Sequence, residues 1–261
     1  MTPDTPYSIE VKDLDIGYIN PSLKLLLENI NFGLKPGNLI SVIGGNGIGK
    51  TTLLRTLAKL QDPLSGEVYI QNKSLKAITN TDLAKEISLV LTDPPASKSL
   101  SVYEFIALGR YPHTNWMGKL SDIDLQKITK AIEVTEVQDL LEYKCYQLSD
   151  GQYQRIAIAR TIAQDTPIII LDEPTTHLDL YHRAYVLKLL QNLAKKHNKT
   201  ILFSTHEIEL ALQLSDQVLL LQPEQIKLDT PNGIIESGLL DSLFPKDTIY
   251  FDTATKQFKA R

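Results

Sequence analysis

The sequence predicts an α/β fold in which a parallel sheet is covered on both faces by helices and carries an inserted helical subdomain. Three observations lead there. Short, near-continuous apolar runs recur at Leu39–Ile43, Ile168–Leu171, Thr200–Phe203 and Val218–Leu221, as strands buried on both faces do. Helical spacings alternate with them, which favours parallel pairing. Between about Pro94 and Leu148 the apolar residues fall at three- and four-residue spacings, and no strand pattern stands out.

Taken in order, Leu39-Ile-Ser-Val-Ile43 is a strand interrupted by glycines, and Lys50–Leu60 reads as a helix stopped before Gln61-Asp-Pro63. In the middle stretch, Val102–Leu108 and Ile123–Leu141 read as helices. A helix over Tyr153–Gln164 follows, with Tyr153, Ile156 and Ala157 on one face. After the turn at Thr166-Pro167, a strand ends abruptly in Asp172-Glu173. The strand Thr200–Phe203 ends in Ser204-Thr-His206 before a helix over Glu207–Leu214. Beyond Gln222 the segments are short and mixed, with a turn expected at Pro231-Asn-Gly233, and Phe251–Arg261 shows no pattern. The expected organisation is one domain over 1–261, with 1–93 and 149–261 as the α/β core and 94–148 as the helical subdomain.

Composition narrows the function classes. At 261 residues, 43% hydrophobic and 22% charged, the chain can bury a sizeable core and is not a disulfide scaffold. A net charge of −4 argues against a chain-wide nucleic-acid footprint. No apolar run approaches the roughly 20 residues that span a bilayer, and Met1–Glu10 lacks signal-peptide character, so a cytoplasmic location is expected. The lone cysteine, Cys145, forms no internal disulfide and reads as a small, semi-buried side chain.

Gly44-Gly-Asn-Gly-Ile-Gly-Lys50-Thr51 matches the phosphate-binding loop pattern and sits between strand and helix, as that loop requires. Glycines let backbone N–H groups turn onto phosphate oxygens, and the helix start adds its positive dipole end. Lys50 would reach the β- and γ-phosphates and Thr51 would place its hydroxyl on Mg²⁺. The competing reading is a glycine-rich turn that binds nothing. Asp172 and Glu173 close a strand at the carboxyl end of the sheet, where ligands bind in open α/β folds. There the first acid can hold Mg²⁺ and the second can polarise an attacking water; alternatively the pair caps the next turn. His206 ends another strand facing the same crevice, where its ring could bond a γ-phosphate oxygen or simply be solvated.

Leu148-Ser-Asp-Gly-Gln152 resembles the signature loop of the ATP-binding cassette family, and the family's other landmarks follow in order. Tyr18, after Leu14-Asp-Ile-Gly17, matches the aromatic that stacks on adenine. Pro174-Thr-Thr-His-Leu-Asp179 matches the loop that crosses between subunits, and His206 the switch histidine. The resemblance implies a RecA-like phosphate-loop core with antiparallel strands near the N-terminus, ATP and Mg²⁺ as ligands, and ATP hydrolysis as the activity. It implies that two copies sandwich two ATP molecules. Nucleotide would contact Tyr18, Gly44, Gly45, Asn46, Gly47, Ile48, Gly49, Lys50, Thr51 and Thr52 of one copy, and Ser149, Gly151 and Gln152 of the other. Glu173, His206 and Lys50 would act in catalysis, and Thr51, Asp93 and Asp172 at the metal.

Two positions depart from that family's commonest form. Asp150 stands where glycine is usual. A carboxylate about 6 Å from a γ-phosphate would be repelled by about 2 to 3 kcal/mol per phosphate charge at an effective dielectric near 20, so Asp150 is expected to turn away and cap the following helix. Asp93 occupies the place of a coupling-loop glutamine; it can accept from metal-bound water but is one methylene shorter.

Ser101-Val-Tyr-Glu-Phe-Ile-Ala-Leu-Gly-Arg-Tyr-Pro-His113 resembles the Gly-Arg-x-Pro-His stretch of ATPases that drive iron–siderophore, haem and cobalamin importers. The expected partners are a second copy of the chain, two integral membrane permease subunits and, indirectly, an extracytoplasmic chelate-binding protein, with no nucleic acid. The chain would then work peripherally at the cytoplasmic face of the cell membrane. The alternatives are an ATPase subunit for another solute or a soluble, non-transport cassette ATPase.

Overall fold

The computed structural model describes residues 7–19, 22–91, 99–176, 178–244 and 247–261. The chain opens with β1 (Ile9–Tyr18), β2 (Lys24–Leu34), β3 (Leu39–Gly44), α1 (Lys50–Leu57), β4 (Ser65–Ile70), β5 (Lys73–Ser74), α2 (Asn80–Glu86) and β6 (Ile87–Val90). Three helices follow: α3 (Val102–Ala107), α4 (Asp122–Thr135) and α5 (Asp150–Gln164). Next come β7 (Ile168–Leu171), α6 (Leu180–His197), β8 (Thr200–Ser204), α7 (Ile208–Leu214), β9 (Gln217–Leu221), β10 (Ile226–Asp229) and α8 (Pro231–Glu236). The hairpin β11 (Ile249–Asp252) and β12 (Gln257–Ala260) completes the order.

The main sheet runs β10-β9-β3-β8-β7-β6, parallel except for β10 against β9. Its strands alternate between two cores, as a period-2 element must. Ile169, Leu171, Ile201 and Phe203 face α5 and α6. Ile168, Ile170, Leu202, Ile40 and Val42 face α1 and the antiparallel sheet β2-β1-β4-β5. Both faces are therefore dry, which is why these strands read as unbroken apolar runs. A third cluster gathers Ile43, Ile208, Leu220, Ile234 and Phe251. The expected α/β fold, with antiparallel strands near the N-terminus, is observed, but those strands together with α1 cover one face of the parallel sheet where helices alone are expected.

Local expectations needed correction where caps outweigh periodicity. The helix read over Lys50–Leu60 ends at Leu57. The pattern over Ile123–Leu141 spans two elements, because Glu136 turns left-handed (φ 53°) after Thr135 and a 3₁₀ turn covers Gln138–Leu140. The helix expected from Tyr153 starts at Asp150, capped by Ser149. Pro231-Asn-Gly233 is not a turn but the first turn of α8, with Pro231 just inside a Thr230 cap. The patternless tail forms a hairpin whose Phe251 and Phe258 rings lie 5.0 Å apart. Cys145 is buried at 5% exposure rather than semi-buried.

The Gly-Arg-Tyr-Pro-His stretch acquires a physical reason. A Cβ on Gly109 would stand 2.3 Å from the Arg160 carbonyl oxygen, so only glycine lets this segment lie against α5. Arg110 donates through Nε to Asp124 Oδ1 at 2.8 Å, and through a terminal nitrogen to the carbonyls of Ala163 and Gln164 at 2.7 and 3.2 Å. His113 Nε2 reaches the Gln164 carbonyl at 2.9 Å. Together these satisfy the carbonyls left over at the end of α5 and tie it to α4.

Candidate functional site

The site forms at the carboxyl ends of β3, β7 and β8. After Gly44 the chain turns through the glycine-rich loop into α1, and Gly49 caps that helix at φ 116°, a conformation side chains rarely adopt. Lys50, 6% exposed, donates to the carbonyls of Gly44 and Gly45 at 2.9 and 3.2 Å. Burial pushes its ammonium pKa down, opposed by the charges of Glu173 and Asp172. A desolvated cation among loop carbonyls and open backbone is poised for an anionic ligand. Asn46 and Gly47 are exposed, Gly45 and Ile48 partly so.

β7 delivers the two acids. Asp172 is 1% exposed, and both its oxygens are taken by hydroxyls: Thr51 Oγ1 donates to Oδ2 at 2.8 Å and Ser204 Oγ to Oδ1 at 2.6 Å. Glu173 leaves the strand in the left-handed region, φ 49°. Its N–H donates to Ser204 Oγ at 2.9 Å, His206 Nε2 lies 2.7 Å from its Oε1, and Thr176 Oγ1 donates to its Oε2 at 3.0 Å. One continuous chain of hydrogen bonds thus runs from Thr51 through Asp172, Ser204 and Glu173 to His206. Tyr18, 45% exposed at the end of β1, reaches Thr52 Oγ1 at 2.9 Å, which sets its ring beside α1.

Ser149, Gly151 and Gln152 are not drawn into this chain. Ser149 Oγ accepts the Gln152 N–H at 3.3 Å and Gln152 Oε1 accepts the Ser149 N–H at 2.9 Å, closing a capping box at the start of α5. This corrects the expectation for Asp150: the cap is Ser149, and Asp150 is the first helical residue, exposed, with its charge near the helix start. Asp93 lies outside the described residues, as does His177.

The donors fit a hard cation. Thr51 and Asp172 present only oxygen at the mouth of the phosphate loop. That suits Mg²⁺, which keeps waters and substrate phosphates and takes one or two protein oxygens.

Two contacts go beyond the sequence reading: Ser204 with both acids, and Thr176, inside the loop matched over 174–179, with Glu173. Ser204 had a signal: a polar residue closing an apolar strand beside the one that ends in two acids. Thr176 had none, since its contact depends on the left-handed turn at Glu173.

The family model for ABC transporters matches residues 27–176. The chain is 34% identical over 241 residues to an iron(3+)-hydroxamate import ATP-binding protein of Bacillus subtilis, covering 92% of this chain and 88% of that one. It is 33% identical over 238 residues to a petrobactin import ATP-binding protein of Bacillus anthracis, covering 91% and 86%. Among solved structures, an inward-facing transporter described as of metal-chelate type aligns with a TM-score of 0.78 at 31% identity, over 91% of this chain and 89% of that one. A dimeric, post-hydrolysis cassette bound to ADP and phosphate aligns with a TM-score of 0.75 at 27% identity, over 85% and 98%.

Proposed function

This chain belongs to the ATP-binding cassette family of transporter ATPases, and from that premise we propose that it powers import of a metal chelate of the iron–siderophore, haem or cobalamin type. It hydrolyses ATP as a homodimer seated under two integral membrane permease subunits at the cytoplasmic face of the cell membrane, with a chelate-binding protein outside. No helix among the described residues is long and apolar enough to cross a membrane. A groove of about 750 Å³ between β6 and the helices α3 and α5 is lined by Leu83, Leu89, Phe105, Tyr111 and Arg160, and in our reading it receives a segment of the permease.

The observation that carries the ATPase site is the hydrogen-bonded chain from Thr51 to His206 beside the buried Lys50. In our reading the loop amides of Gly45 to Thr52 and the Lys50 ammonium hold the phosphates, while Tyr18 stacks on adenine. Thr51 and Asp172, with Asp93 from beyond the described residues, hold Mg²⁺, which when bound offsets charge on the phosphate oxygens. Glu173 accepts a proton from the attacking water, and His206 fixes the carboxylate that does so. Ser149, Gly151 and Gln152 close on the γ-phosphate of the opposite copy, with the N-terminus of α5 behind them. Hydrolysis removes the bridging phosphate and lets the copies part. We read the chain as one domain, with 1–93 and 149–261 as its α/β part and 94–148 as its helical part. The metal-chelate assignment is supported by the named activities of the relatives.

Purification of the tagged chain from detergent-solubilised membranes of its own cells tests the transport role. Retention of an integral membrane protein and a change of ATPase rate in that complex are expected. Recovery of soluble partners alone would overturn it.

A further inference from the structure

Ser204 is the last residue of β8 and is fully buried. Its parallel neighbour is β7, where Leu171 pairs with Phe203, so Asp172 and Glu173 emerge beside it. One hydroxyl serves both acids. Its proton goes to Asp172 Oδ1 at 2.6 Å, and a lone pair takes the Glu173 N–H at 2.9 Å. The first bond fixes the carboxylate plane and leaves Oδ2 on the Thr51 hydroxyl at the mouth of the phosphate loop. The second anchors a backbone at φ 49°, which a non-glycine residue holds only when its surroundings over-determine it. That turn is what brings the Glu173 side chain to His206 and Thr176.

We propose that Ser204 is a positioning residue for ATP hydrolysis, holding the Asp172 carboxylate and the left-handed Glu173 backbone in register through a single hydroxyl. The inference rests on the site reading above, in which Asp172 faces the metal and Glu173 the water. Removing the hydroxyl leaves the Asp172 carboxylate, 1% exposed, short of one donor and frees the Glu173 turn. The loop amides and Lys50, which bind phosphate, are untouched.

The test is Ser204→Ala in the full chain. A fall in kcat of about 10- to 100-fold is expected, the range seen when supporting partners of a metal site are lost, with a smaller rise, about three- to fivefold, in KM for ATP with Mg²⁺. Binding of a fluorescent ATP analogue in EDTA is expected to stay within about twofold of the parent, while the tightening of that binding by Mg²⁺ shrinks at least threefold. Ser204→Thr restores most of the rate and Ser204→Val does not; both add the same bulk, so the pair isolates the hydroxyl and carries the test if the alanine variant fails to fold. A Ser204→Ala rate within twofold of the parent, alongside an inactive Glu173→Gln, would overturn the proposal. Equal losses in the threonine and valine variants would reduce Ser204 to packing. Parental activity in Glu173→Gln would instead remove the site assignment beneath it.

Discussion

Replacing Arg110 with methionine strands a buried carboxylate. Arg110 and Asp124 are 5% and 4% exposed, 2.8 Å apart, and Arg110 also holds the Ala163 and Gln164 carbonyls. Without the guanidinium, Asp124 keeps only the Ser121 hydroxyl and N–H. Breaking a buried pair by removing one partner costs about 3 to 5 kcal/mol, which for a chain of this size lowers Tm by roughly 10 °C. Urea unfolding followed by circular dichroism at the helical band measures it; the single tryptophan, Trp116, is 93% exposed and reports poorly. Arg110→Met with Asp124→Leu should recover at least about 2 kcal/mol, since apolar replacement of both charges is often neutral. Because the lost contacts hold α5, whose start carries Ser149, ATP-dependent dimerisation should weaken more than ATP binding by the monomer. A single variant within about 1 kcal/mol of the parent, or additive losses in the double variant, would refute this account of the Gly-Arg-x-Pro-His stretch.

Asp150→Gly should keep or raise ATPase activity, because Ser149 supplies the cap and Asp150 contributes only a charge–dipole term of about 0.3 to 1 kcal/mol; a loss above tenfold in steady-state assays would contradict that. Tyr18→Ala should raise the dissociation constant for ATP about 3- to 10-fold with little change in kcat, in line with a stacking contribution of about 0.5 to 1.5 kcal/mol. Tyr18→Phe, which loses only the Thr52 bond, should stay near the parent in the same titration. The Asp124 carboxyl is held down to about 2, first by the Ser121 hydroxyl and also by Arg110, against an ordinary 3.8. Its stabilisation is therefore complete above about pH 4 and lost as pH falls toward 2. Asp124→Asn should flatten the stability profile in that window when acid unfolding is followed by circular dichroism.

Much of this was legible in the sequence because the signals were local. Strands buried on both faces announce themselves as apolar runs, and a phosphate loop is defined by spacing along a single segment. Asp172, Glu173 and His206 could be placed together because parallel strands put their carboxyl ends on one edge. What stayed hidden depended on neighbours distant in sequence or on caps. β6 is four residues long, Ile-Ser-Leu-Val, and its pairing with β7 is what makes it a strand. α8 hid behind Pro231 and Gly233, residues of turns, until Thr230 capped it. The role of Arg110 needs Asp124 and the end of α5, 53 and 54 positions away for its two carbonyl contacts. Serine and aspartate are both good caps and sit side by side, so sequence alone does not separate Ser149 from Asp150; the capping box with Gln152 decides for Ser149.

In the proposed mechanism Glu173 accepts the proton of the attacking water, in a site completed by a second copy of the chain. Glu173→Gln, with Mg²⁺ and ATP, should run as a stable dimer by size-exclusion chromatography with light scattering, revert to monomer when ADP replaces ATP, and hydrolyse ATP at least about 100-fold more slowly than the parent. A variant that stays monomeric with saturating ATP and Mg²⁺, or that hydrolyses at the parental rate, would contradict it.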